Sequence, residues 1–62
     1  MDKHNLTVSE FCRWANISRS TLYKLFAEQD GPTVIRIGRR VLIPVGAAEN
    51  WMRQRESVFQ PG

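Results

Sequence analysis

Apolar positions change rhythm along the chain, and each change marks an element. Val8, Phe11, Cys12 and Ala15 recur at i, i+3, i+4 and i+7, the stripe of a half-buried helix. Thr7-Val8-Ser9-Glu10 in front of the stripe reads as a capping box, with Leu6 placed as a hydrophobic staple opposite Phe11. The helix is expected to stop near Asn16, because asparagine tolerates the left-handed conformation that ends helices. A second helix begins almost at once, with Ser18 as N-cap. Leu22, Leu25 and Phe26 form its apolar side, while Arg19, Ser20, Tyr23, Lys24 and Ala27 share an opposite arc of about 140°.

The period then shortens to two. Gln29-Asp30-Gly31-Pro32 breaks the helix, and the β-branched runs Thr33–Ile37 and Val41–Ile43 flank Gly38-Arg39-Arg40 as a hairpin. A two-residue turn with Gly38 first would be type II′, with a longer loop as the alternative. Pro44 ends the second strand. From Val45 to about Arg55 a third helix places Val45, Ala47, Ala48, Trp51 and Met52 on one face and a Glu49/Arg53 pair on another. Residues 1–5 are expected to be a flexible start, 6–55 one domain, and 56–62 a disordered tail.

With 62 residues the chain forms one marginally stable domain, with no room for a cleft between subdomains. Nine Lys and Arg against six Asp and Glu give a formal charge of +3, a weak pointer to a polyanionic partner. A single cysteine excludes an internal disulfide and fits a reducing compartment. No apolar run approaches the roughly 20 residues of a membrane span, and the polar start has no signal-peptide core, so a cytoplasmic protein is expected. No catalytic residue, metal site, cofactor or small-molecule ligand is expected. Ser18 has no base spaced to activate it, and one His with one Cys cannot form a structural zinc site. Carboxylate pairs and phosphate-cradling glycine loops are missing, so an enzyme is not expected. Cys12 reads as a small buried hydrophobe, and Trp51 as core sealing the third helix onto the hairpin. Trp14 is assigned to packing, with a partner contact as the alternative. Arg53 and Arg55 read as solvated, with a contact to a nucleic-acid backbone as the alternative.

Two short helices joined by about three residues make a helix-turn-helix, whose second helix enters the major groove of DNA. Ser18, Arg19, Ser20, Thr21, Tyr23 and Lys24 are the expected contacts from that helix; Arg19 and Lys24 suit guanine edges. Tyr23 is open to either a backbone contact or partial packing. The hairpin adds Gly38, Arg39 and Arg40 at its tip and Arg36 on its first strand, as a wing suited to phosphates or an adjacent minor groove; Arg36 alternatively reads as a solvated strand residue. Residues 13 to 40 thus hold six cations against only Glu28 and Asp30. The fold class expected is mainly α with a small β-hairpin: a winged helix-turn-helix in the order helix, helix, hairpin, helix.

Leu6–Phe11, Asn16–Leu25, Ile35–Pro44 and Trp51, in that order, resemble the excisionase-type, or AlpA-like, group of the MerR-like winged helix-turn-helix superfamily. The likeness covers about residues 5 to 55. Asn16 stands where the group usually has a turn glycine. Val45-Gly46 stands where it has polar and acidic residues, so the last helix is expected to begin late. The resemblance implies a phage or mobile-element excisionase (a recombination directionality factor) that binds and bends double-stranded DNA near an attachment site, with a site-specific recombinase and further copies on DNA as partners. A small transcription regulator of the same fold is the alternative. In a different class, the fold would serve as a protein-interaction module docking on a recombinase, with Val58-Phe59 as an apolar hook. Inducer-responsive members carry a long dimerisation helix and an effector domain after this module. With 62 residues neither is expected, which favours an architectural protein over a ligand sensor.

Overall fold

The structure, a computed structural model, describes residues 4–56. The capping box forms as the sequence implies: the Glu10 N–H donates to Thr7 Oγ1 at 3.1 Å, and the Thr7 N–H donates to Glu10 Oε1 at 2.9 Å. It starts helix α1, Val8–Ala15. Asn16 ends that helix in the left-handed region, φ 60° and ψ 44°. The Asn16 N–H then reaches the Arg13 carbonyl and the Ile17 N–H the Cys12 carbonyl, a Schellman pattern that uses up two end carbonyls. Ser18 follows as N-cap of α2, Arg19–Ala27, accepting from the Thr21 N–H at 3.1 Å.

Three strands form an antiparallel sheet in the spatial order β1-β3-β2. Strand β2 is Ile35–Ile37 and β3 is Arg40–Pro44. Thr33 and Val34, expected in the first hairpin strand, lie ahead of β2. The turn is two residues long, Gly38-Arg39, with positive φ (59°) at Gly38 only. That is the φ pattern of a type II′ turn, whose backbone twist matches the flanking strands. Strand β1, Asn5–Thr7, pairs with β3 in the register Leu6 opposite Ile43. Asn5 therefore belongs to the sheet and not to the flexible start expected through residue 5. The same expectation for residues 1–3, the tail 57–62 and the Val58-Phe59 hook lie outside the described residues.

Helix α3, Val45–Gln54, follows β3 without a loop. It does not begin late. Pro44 supplies no side-chain cap, but the Val45 N–H donates to the His4 carbonyl at 2.9 Å, so the chain ahead of β1 satisfies an orphan donor of the first turn.

Every helix and the central strand feed one core. Phe11, Leu22, Ile43 and Ala48 are fully enclosed, Val8 and Cys12 are buried beside them, and Leu6, Ile17, Phe26, Val34, Val41 and Trp51 close the edges. Leu25, expected on the buried side of α2, is only half-buried. No charged or polar residue is buried among the described residues. Because residues opposite each other in a sheet share a face, Leu6, Ile43, Val41 and Arg36 lie on the core side. Thr7, Leu42, Ile35, Arg40 and Ile37 lie on the outer side.

Candidate nucleic-acid interface

The second helix presents its polar arc as expected. Arg19, Ser20, Thr21, Tyr23, Lys24 and Ala27 are all exposed, Tyr23 at 51%. The buried residue of α2, Leu22, sits on the other side and pins the helix to the core. Ser18 is exposed and committed to the cap, and its hydroxyl also donates to Thr21 Oγ1 at 2.9 Å. Tyr23 leans edge-on against Phe26, with ring centroids 5.9 Å apart, so its ring is braced while its hydroxyl end remains on the exposed arc.

Arg19 is held in place. Its Nη2 donates to Ser9 Oγ, which joins the first turn of α2 to the first turn of α1. Ser9 was not singled out by sequence reasoning. Nothing local in the sequence marks it beyond an exposed position in the first turn of α1, since the contact depends on how α2 crosses α1.

The hairpin tip lies on the same side. An open groove runs between the N-terminal ends of α1 and α2 and the wing, lined by Ser9, Arg19, Tyr23, Arg39, Arg40 and Leu42 among others. Two of the expected recognition-helix residues and two of the expected wing residues thus share one concave surface. Ser20, Thr21 and Lys24 stand further round the exposed arc and do not line the groove. Arg36 is set apart. It is exposed, but its register partner is Val41, which places it on the core side of the sheet and opposite in sense to Arg40. Gly38 lines up with the turn: a Cβ there would meet nothing within 4 Å, so its role is the positive φ alone.

Of the two acids between residues 13 and 40, Glu28 and Asp30, the latter is engaged away from the groove. Its carboxylate pairs with Arg55, the C-cap of α3, and its carbonyl accepts from Trp51 Nε1 and from Arg55 Nη2, each at 2.9 Å. Arg55 also lies over the Trp51 ring, 4.7 Å from its centroid. Arg55 is therefore a tether and not simply solvated, whereas Arg53 is exposed. Trp51 is half-buried, and it meets Phe11 of α1 edge-on at 5.6 Å and the loop after α2. It ties α3 to those two regions and packs against the core cluster that contains Ile43 of the hairpin. Trp14 is 47% exposed, with its ring 5.8 Å from Phe11.

Among the described residues no cluster of His, Cys, Asp and Glu could hold a metal ion. No helix there is long and apolar enough to cross a membrane.

Two helices joined by a three-residue turn, followed by a hairpin and a third helix on one core, define a winged helix-turn-helix. The family model described as a helix-turn-helix domain matches residues 6–56, and the chain belongs to that family. It is a DNA-binding helix-turn-helix protein. No curated protein matches the chain.

Proposed function

We propose that the protein is a sequence-specific DNA-binding factor of the excisionase type within the MerR-like superfamily. It places α2 in a major groove and the Gly38-Arg39 turn beside it. The observation that carries the reading is the shared groove, where Arg19 and Tyr23 stand with Arg39 and Arg40. A polyanion laid along this surface meets cations from both elements at once, and the backbone charges supply affinity while the helix supplies sequence preference.

In this reading Arg19, positioned by Ser9, and Lys24 address base edges. Ser20 and Tyr23 contact bases or sugar-phosphate, and Ser18 and Thr21 hold the helix start against a phosphate. Arg39 and Arg40 neutralise backbone phosphates, with Arg36 contributing at longer range from its own face. The protein acts in the cytoplasm, without a cofactor and without chemistry of its own. It bends DNA near an attachment site, self-associates on tandem sites and helps a site-specific recombinase assemble in the excision direction. A small transcription regulator would use the same surface. Footprinting at an attachment site against a promoter separates the two.

The test is selection of bound sites from random duplex DNA, followed by salt titration. Arg19→Ala is expected to relax the preference at its base pair by about 1–3 kcal/mol. Arg39→Ala and Arg40→Ala are each expected to weaken all sequences alike and to lower the log–log salt slope by roughly 0.9. Binding and salt slope unchanged in all three variants would refute the assignment.

A further inference from the structure

The outer face of the wing carries an apolar stripe that the core does not use. Ile37 is 59% exposed and Ile35 39% exposed, and both lie on β2, one of the two edge strands of the sheet. By register Ile37 stands opposite Arg40 and Ile35 opposite Leu42, so the stripe is continuous with the groove wall formed by Leu42 and Arg40. Edge strands are ordinarily blunted with charge or proline, because an exposed apolar edge invites aggregation. Here the most exposed large aliphatic side chain of the described residues sits directly before the turn.

We propose that Ile37 is an apolar wedge that enters the minor groove and kinks the duplex, with Arg39 and Arg40 seated on the phosphates on either side. The inference rests on the DNA-binding reading above and deepens it by assigning the bend to a residue. With α2 in a major groove, the wing meets the adjacent minor groove. Apolar side chains pushed between base steps from that groove unstack them and bend the helix. Charge complementarity selects this occupant. The stripe is flanked by Arg39 in the turn and Arg40 on the neighbouring strand, which suits a polyanion. A second copy paired antiparallel along β2 about its centre would set Arg36 against Arg36, a like-charge pair across the strands.

The experiment is a bending measurement by energy transfer between dyes at the two ends of a duplex carrying a selected site. It is run with the parent protein, Ile37→Ala, Ile37→Leu and Ile35→Ala, alongside affinity and sedimentation without DNA. Thermal melting of each variant checks the fold, which replacement of so exposed a side chain leaves intact. Ile37→Ala is expected to keep the site preference, to lose most of the bend and to bind about tenfold more weakly. Ile37→Leu keeps the bend, and Ile35→Ala loses less than Ile37→Ala. A parental bend and affinity in Ile37→Ala would overturn the wedge while leaving the DNA-binding reading intact. So would a DNA-free dimer that Ile37→Ala dissociates, which would give the stripe to a second copy. A parent protein that binds no duplex at all would overturn the DNA-binding reading, and the wedge with it.

Discussion

The two ends of α2 are held by different physics. Its N-terminal end is set by neighbours in the chain: Asn16 turns the backbone, Ile17 packs on the core and Ser18 caps the first turn. Its C-terminal end stops with the same Schellman pattern, the Gln29 N–H reaching the Phe26 carbonyl and the Asp30 N–H the Leu25 carbonyl. The left-handed residue there is Gln29, φ 57°, which has no intrinsic liking for that conformation. Residues more than twenty positions away, Trp51 and Arg55, hold the Asp30 carbonyl that follows it. The end that faces the groove is thus set mainly by local codes, with the Arg19–Ser9 contact added, and the far end depends on α3. A recognition surface built on local signals stays in register even when the far end is loosened.

Substitutions can break that contrast in graded steps, read as unfolding free energy from urea titrations with two-state analysis. Trp51→Ala should have the largest effect, about 3 kcal/mol, because it removes the edge contact with Phe11 and the hydrogen bond to Asp30 together. Gly31→Ala should follow at about 1–3 kcal/mol, since a Cβ there would stand 2.8 Å from the Phe26 ring and one of the two must move. At the local end, Asn16→Ala and Ser18→Ala should each cost about 1 kcal/mol, the former through the left-handed backbone and the latter through the lost cap. A smaller effect should be of opposite sign. Gln29→Gly relieves a strained φ and should stabilise by about 0.5 kcal/mol, whereas Asn16→Gly should change little. Equal responses at positions 16 and 29 would dissolve the distinction.

The same division explains what the sequence showed and what it hid. The capping box, the Asn16 stop, the Ser18 cap and the glycine turn are codes carried within a few residues, and all four appear where their residues place them. Strand β1 escaped notice because three residues have no measurable period, and its pairing with β3 exists only in the folded chain. Trp51 and Arg55 were legible as apolar and basic but not as a clamp, since their shared acceptor is a backbone carbonyl in a distant loop. Arg36 turned on a register left open by the sequence. With a two-residue turn it pairs with Val41 and takes the core side, and a three-residue loop would have put it opposite Leu42 on the other face. The recognition arc was visible as periodicity; the Ser9–Arg19 contact within it required the crossing of two helices.

The central claim is tested most directly by titrating a selected duplex into isotope-labelled protein and following backbone amide shifts. The account predicts the largest perturbations at Ser18–Lys24 and Gly38–Val41, joined by Ser9, with Glu49 and Arg53 on the far helix unmoved. Perturbations centred on α3 or around Trp14, with the hairpin turn silent, would contradict it.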